Sequence, residues 1–258
     1  MITAILQARM SSTRLPGKVL RTVLGRPLLA LQLERVRRSL RIERLIVATS
    51  DRDEDAPVAG LAAAEGVDCF RGSLDDVLDR FYRAALPSKP QYVVRLTGDC
   101  PLADPAIIDS VIELCERGGY DYASNALRPT FPDGLDVEVV RFRCLEEAWR
   151  EARLPSEREH VLPFVHRRPD RYKIGILQND VDLSRLRWTV DEPEDLELVT
   201  RIYEALYAGN PAFSTADVLR LIEREPALAE INSRHVRNAG SLSSARKDAM
   251  ASASGTAQ

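Results

Sequence analysis

Apolar and polar residues follow two periods along the first two-thirds of the chain. Short apolar runs read as strands: "ITAIL" near the N-terminus, "RLIVATS" from Arg44, "VDCF" from Val67 and "QYVVRL" from Gln91. Helical spacing fills the intervals. "RPLLALQLERVRRSL" places Leu29, Leu33, Val36 and Leu40 on one stripe, and "EDAPVAGLAAAEG" carries Pro57 near its first turn. "SLDDVLDRFYRAAL" opens with a capping-box-like Ser73 and Asp76, and "DPAIIDSVIELCERGG" begins at Pro105 and stops at glycine. Strands alternating with helices imply right-handed βαβ units. The expected fold is a three-layer α/β/α domain around a mainly parallel, Rossmann-like sheet.

The pattern loosens after about Gly119. "NALRPTFPDG" reads as a loop, and "LDVEVV" alternates like an edge or antiparallel strand. Helices are expected over 142–152 and 156–167, and short strands at "YKIGIL" and "RWTV". "DEPEDLELVTRIYEAL" is a helix with Leu196, Val199, Tyr203 and Leu206 on one face, and a last helix is expected over 215–223. No internal repeat is visible. Residues 238–258 are small and polar without periodicity, which reads as a disordered tail behind a single domain of residues 1–237.

Composition narrows the function. With 45% hydrophobic residues the 258-residue chain can bury a sizeable core. A net charge of −3 argues against a general DNA or RNA binder, so basic residues near the N-terminus serve a small anion instead. Cys69, Cys100, Cys115 and Cys144 form no C-x-x-C pair and no zinc-finger spacing, which reads as reduced thiols and a cytoplasmic setting. The N-terminal apolar run is too short, and lacks the basic flank, for a signal peptide. No run of 18 apolar residues is present to span a membrane.

The first strand is followed by "QARMSSTRLPGK", Gln7 to Lys18, with three cations and one glycine. Ligands of open parallel sheets bind beyond the carboxyl ends of the strands. Loop amides with Ser11, Ser12 and Thr13 donate hydrogen bonds suited to phosphate oxygens, and Arg9, Arg14 and Lys18 supply charge. A solvated basic loop is the alternative. The P-loop pattern fails because Val19 follows Lys18 and no glycine lies five residues before Gly17. The dinucleotide fingerprint is also absent. Further on, "RLTGDCPLADP" places Asp99 just past a strand, and "RWTVDEPEDLE" places Asp191 at a helix start. Alone, Asp191 suits an N-cap and Asp99 a turn before Pro101. Together, at two strand ends, they suit one Mg²⁺, which takes oxygen ligands and keeps waters.

"QARMSSTRLPGKVL" resembles the A-R-x-x-S-T/K-R-L-P-G-K signature of the cytidylyltransferases that make CMP-activated acidic sugars, the CMP-sialate and CMP-Kdo synthetases. It looks closest to their SpsF-like, spore-coat-polysaccharide branch. "GDCPL" and "DEPEDLE" resemble that family's G-D-x-P-L and D-T-P-E-D-L-E motifs, and the resemblance covers roughly residues 2–207. It implies a fold of the nucleotide-diphospho-sugar transferase type and CTP as substrate. Arg9, Ser12, Arg14 and Lys18 would then bind phosphates, with the main chain at Gln7 and Ala8 meeting the nucleotide. Asp99 and Asp191 would hold the catalytic Mg²⁺, for which Mn²⁺ is a substitute. "FRGSLDDVLDRFYRAA" matches a further family stretch, which implies Arg71 near the nucleotide and aligns Asp79 and Arg80 with a polar pair there, Asp79 being the nucleotide-binding candidate of the two.

"FPDGLDVEVV" and "SEREHVLPFVHRRPDRY" resemble acceptor-side segments. They imply Asp133, Asp136 and Glu138 toward hydroxyls or an amine, and Arg158 and His160 toward an acidic group. An acceptor-side and dimer-contact insertion of about 125–175, and a homodimer, follow from the same resemblance. Cys100 stands where Kdo-type enzymes have an acid, which argues against transferring their substrate. His166 and His235 read as surface histidines, and no Ser-His-Asp signature is visible.

The expected activity is transfer of CMP from CTP to an acidic sugar or related acid, in polysaccharide or cell-surface glycan synthesis. Arg14, Lys18, Asp99 and Asp191 are its catalytic candidates, and Glu138 or a metal-bound hydroxide its candidate base. Two alternatives remain at this point. One is a sugar-1-phosphate nucleotidyltransferase using another triphosphate, although those favour a Gly-rich first loop. The other is a nucleotide-binding subunit without turnover.

Overall fold

A computed structural model of the chain describes residues 1–237. The expected tail, 238–258, lies outside the described residues. The chain opens with β1 (Ile2–Gln7), a small hairpin of β2 (Thr22–Val23) and β3 (Arg26–Pro27), and α1 (Leu28–Val36). Then follow β4 (Arg44–Ser50), α2 (Ala56–Ala64), β5 (Asp68–Gly72), α3 (Val77–Ala85), β6 (Tyr92–Thr97) and α4 (Pro105–Arg117). The second half contains β7 (Tyr122–Ser124), β8 (Glu138–Arg141), α5 (Phe142–Glu151), α6 (Pro155–His160), α7 (Pro163–His166) and β9 (Ile174–Ile176). It closes with α8 (Pro193–Leu206), α9 (Thr215–Arg224) and α10 (Ala227–Glu230).

The main sheet has the order β5-β4-β1-β6-β8-β7-β9. β5, β4, β1 and β6 are mutually parallel, and β8 alone runs against its neighbours β6 and β7. "LDVEVV" is thus antiparallel, as one of the two expectations held, but it lies inside the sheet rather than at its edge. Alternation in β1 sends Ala4 and Leu6 to a core shared with α1, α2 and α4. Ile5 goes to the opposite core, shared with α3, α5 and α7. A third cluster packs α8 and α9 on the outer side of α1, around Trp188, Tyr203 and Phe213.

Several local expectations are corrected. The α1 stripe stops at Val36, and Leu40 is 93% exposed beyond the helix end. The cap of α3 is Asp76, whose carboxylate accepts from Asp79 N at 2.9 Å, while Ser73 Oγ accepts one step earlier, from Asp76 N. Glu192, not Asp191, is the N-cap residue of α8. The 156–167 helix is two short helices parted at Val161, whose φ is 74°. β7 and the β2–β3 hairpin were not foreseen, being too short to show a period.

"RWTV" is not a strand of the sheet. It forms one isolated bridge, Arg187 with Asp133, and runs extended as a clamp. Trp188 N donates to Asp133 O at 2.6 Å, and Val190 N donates to Asp99 O at 2.8 Å. The clamp thereby draws the end of β6, the 133–137 segment and the start of α8 together. Gly134 makes this approach possible. Its φ is +101°, and a Cβ there would lie 2.5 Å from Thr189 N and 2.6 Å from the Trp188 carbonyl carbon. Gly134→Ala is therefore expected to destabilise the fold by at least ~2 kcal/mol in urea unfolding, through backbone strain and a clash with main chain. A variant as stable as wild type would mean that the two segments can part freely.

Candidate active site

The carboxyl ends of β1 and β6 and the start of antiparallel β8 face a cleft of about 960 Å³, large enough for a nucleotide and a second small molecule. The loop after β1 is its rim. Gly17 N and Ser12 N both donate to Met10 O, at 3.0 and 2.9 Å. Met10 N in turn donates to Asp55 Oδ1 at 2.6 Å, and Asp55 also accepts from Ser50 N at 3.3 Å. A buried carboxylate thus anchors the loop to the end of β4. Gln7, Ala8, Arg9, Ser12, Arg14 and Lys18 all line the cleft.

Lys18 reaches across the floor. Its Nζ lies 2.8 Å from Asp99 Oδ2 and 2.6 Å from Asp191 Oδ1. Burial opposes the ammonium's charge, but the two carboxylates outweigh it and hold the pKa above the ordinary lysine value. Burial likewise pushes Asp99 up, yet the Lys18 charge and hydrogen bond hold it well below the usual carboxylate range. Arg14 adds Nη2 at 3.0 Å from Asp191 Oδ2 and Nη1 at 2.8 Å from Glu192 Oε1.

The ammonium marks where a cation sits between these acids. A pair of carboxylates fits a hard divalent ion that keeps waters and takes phosphate oxygens. The nearby Cys100 thiol, 3.5 Å from Asp99 Oδ1, is pushed well up by burial and stays protonated, which makes it a poor ligand.

Behind Asp191 lies a buried network. Arg187 donates from Nε to Asp195 Oδ1 and from Nη2 to Asp195 Oδ2, both at 2.9 Å. The same guanidinium reaches Asp133 Oδ2 at 3.2 Å and Asp191 Oδ2 at 3.4 Å. Asp195 Oδ2 also accepts from Asp191 N and Glu192 N, each at 2.9 Å. Asp191 is therefore held through both its main chain and its side chain.

Asp133, Asp136, Glu138 and His160 line the far side of the cleft. Glu138 pairs with Arg95 and accepts from Tyr122 Oη at 2.7 Å. Asp136 pairs with Arg237. Burial, with Asp133, Glu138 and Asp99 nearby, raises Asp136 to about 6 although Arg237 opposes the shift. His160 and His166 are both held below the ordinary histidine value, by burial first. His166 lines the cleft with its ring 5.7 Å from that of Tyr122, so it is not the surface histidine expected from sequence. His235 pairs with Glu194 at 3.1 Å.

Three of the sequence candidates are not brought to the cleft. Arg71 donates to the carbonyls of Ser50 and Arg52, at 3.1 and 2.8 Å, along the outer strand β5. Asp79 pairs with Arg83 and accepts from Trp149 Nε1 at 2.8 Å. Arg158 binds Asp76 and the Trp149 carbonyl, tying α6 to the start of α3. In their place the fold supplies Arg80, Arg95 and His166. Arg80 is buried, and burial and then Arg9 bring its pKa down to about 10. Arg95 had a signal in the sequence, a lone charge in the apolar run "QYVVRL". Arg80 was visible only as half of a polar pair.

A cleft of this size, a cationic loop at a strand end and paired acids on one ammonium suit a nucleotide-dependent transferase. The chain belongs to the cytidylyltransferase family: the Cytidylyltransferase family profile matches residues 3–216. It is 35% identical over 238 residues to the spore coat polysaccharide biosynthesis protein SpsF of Bacillus subtilis, spanning 88% of this chain and 96% of that one. It is 36% identical over 144 residues to the 3-deoxy-manno-octulosonate cytidylyltransferase of an Anaeromyxobacter species, 54% of this chain and 57% of the relative. A cytidylyltransferase structure from Leptospira borgpetersenii superposes with a TM-score of 0.84 at 32% identity, over 91% of this chain and 98% of the other. The protein is a nucleotidyltransferase, and no helix among the described residues is long and apolar enough to cross a membrane.

The cleft histidines carry a pH signature. Their depressed folded-state pKa means that the unfolded chain binds more protons as pH falls through 6.5, so their contribution to stability is lost there. Asp136 acts in the opposite sense, gaining a proton in the folded state near 6. The expected result is that a His160→Gln/His166→Gln chain loses less unfolding free energy than wild type between about pH 7.5 and pH 5. Parallel losses in urea titrations of the two proteins would contradict neutral, buried imidazoles.

Proposed function

We propose that this protein transfers the CMP group of CTP to an acidic acceptor, a sugar acid or a phosphonate, with Mg²⁺ held by Asp99 and Asp191. The observation that carries the reading is Lys18 Nζ seated between those two acids, beside a loop of cations and hydroxyls, in a chain of the cytidylyltransferase family. The acceptor oxygen, which passes its proton to Glu138 or to water when it is a hydroxyl, forms a bond to the α-phosphorus, the α–β bridging P–O bond breaks, and pyrophosphate leaves with the electron pair. Arg9, Ser12 and the loop amides grip the triphosphate. Lys18 and Arg14 offset charge gathering on the α-phosphate and the leaving pyrophosphate. Asp55 and the Arg187–Asp195 network keep the loop and Asp191 in place, so that positioning carries much of the rate. When bound, Mg²⁺ supplies Lewis-acid charge and a template for phosphate oxygens.

The name of the SpsF relative supports a product destined for polysaccharide or surface glycan; synthesis in the cytoplasm is part of the same proposal and rests on the cysteine pattern. The test is pyrophosphate release with CTP, Mg²⁺ and a panel of 3-deoxy-manno-octulosonate, N-acetylneuraminate and simple phosphonates, repeated with UTP, GTP and dTTP. Release with CTP and an acid is expected; release only with a sugar 1-phosphate and another triphosphate would replace this reading. Lys18→Ala and Asp99→Asn are each expected to lower turnover by about 10² or more. Turnover near wild type in either would remove that residue's role. A homodimer through the 125–175 region is part of the same proposal, and a monomer mass by light scattering at micromolar concentration would exclude it.

A further inference from the structure

The matched family profile ends at residue 216, yet the cleft is completed by residues beyond it. After α10 the chain turns back across α8. Asn232 is buried and donates from Nδ2 to Arg187 O at 2.9 Å and to Asp195 Oδ1 at 2.8 Å. Val236 O accepts from Arg187 Nη1 at 3.4 Å, and the Val236 side chain, 71% exposed, lines the cleft. Arg237 then folds down onto the acceptor wall. It donates from Nη1 to Phe131 O at 3.0 Å, binds Asp136 through Nη2, and has Nε 3.8 Å from Asp133 Oδ1. Its side chain is only 15% exposed.

The charges on this wall explain why such a strap matters. Three acids, Asp133, Asp136 and Glu138, face the region where the second substrate must enter. Glu138 is matched by Arg95. Arg187 reaches Asp133 but is shared with Asp191 and Asp195. Among the described residues Arg237 is the one cation within ion-pair distance of Asp136. Without it, an acceptor bearing its own anion would meet a half-buried carboxylate of the same sign, in surroundings where water screens poorly.

We propose that the strap of residues 232–237 is part of the acceptor subsite, and that Arg237 is a specificity-determining residue that admits an anionic acceptor by neutralising Asp136 and Asp133. The inference rests on the acidic-acceptor reading above. It assigns the cleft's tolerance of a carboxylate or phosphonate to a segment outside the matched family region. The surplus negative charge of the wall is visible in Asp136 itself, which burial and neighbouring acids raise even with Arg237 in place.

The test uses the full chain with Arg237→Gln and Arg237→Lys. The acceptor is the acid of the panel above that wild type turns over fastest, and the methyl ester of that acid serves as a competing ligand. Arg237→Gln is expected to raise the KM for the acid about tenfold or more, since tenfold corresponds to about 1.4 kcal/mol. The KM for CTP and the inhibition constant of the neutral ester are expected to stay within about twofold, and Arg237→Lys, which keeps the charge but not the fork, to restore part of the loss. Equal weakening of acid, ester and CTP, with a lowered Tm, would show a merely structural strap and overturn the proposal. So would an unchanged KM for the acid. If wild type turns over no acid at all, the acidic-acceptor reading fails first, and the role of Arg237 falls with it.

Discussion

The ammonium of Lys18 between Asp99 and Asp191 is the contact on which the site depends. Two carboxylates that close to one point repel each other unless a cation stands between them. Lys18 comes from the first loop, Asp99 from the end of β6 and Asp191 from the entry to α8. Their meeting fixes the loop, the central strands and the C-terminal helix layer relative to one another. Burial alone would oppose the charges of Lys18 and Asp99; their mutual attraction keeps that pair ionised. The same residues thus organise the cleft and present the charge on which the proposed triphosphate and metal binding rests.

Around that contact the fold repeats one device, a buried or half-buried acid held by an arginine, from a distant segment in every case but Arg187 with Asp195. Arg187 with Asp195 and Asp133, Arg95 with Glu138, and Arg237 with Asp136 are the instances that shape the cleft. Arg187 uses the planar fork of its guanidinium, which can serve several carboxylate oxygens at once. Arg187 shows the consequence: one side chain ties Asp191 to Asp133 across the cleft floor. The two sides of the cleft therefore share a single electrostatic framework, and the clamp of residues 187–190 is its main-chain counterpart.

Much of this was legible in advance. β1, β4 and β6 appeared as apolar runs because a doubly covered strand must be apolar on both faces. α4 and α9 appeared because their caps and periods agree. The phosphate loop and the two acids stood out by residue type and by their place at strand ends. Arg71, Asp79 and Arg158 were less legible because a charge near the right motif can turn outward and pair locally, as Asp79 does with Arg83. His166 was missed because a four-residue helix gives no face to read. β8 was seen as a strand, but its interior position depends on which neighbours it finds, and alternation does not encode that.

The sequence by itself determined the layers, the cationic loop and the acids, since hydrophobic period, strand ends and residue chemistry are local properties. Only the tertiary structure decided which charges meet. Ion pairs between segments far apart in the chain arise from sheet order and helix packing, which set distances of a few ångströms that no local pattern records. Arg237 is the plainest case. In sequence it is a lone cation next to a stretch without structural signal; in the fold it pairs with Asp136 and reaches Asp133, about a hundred residues away.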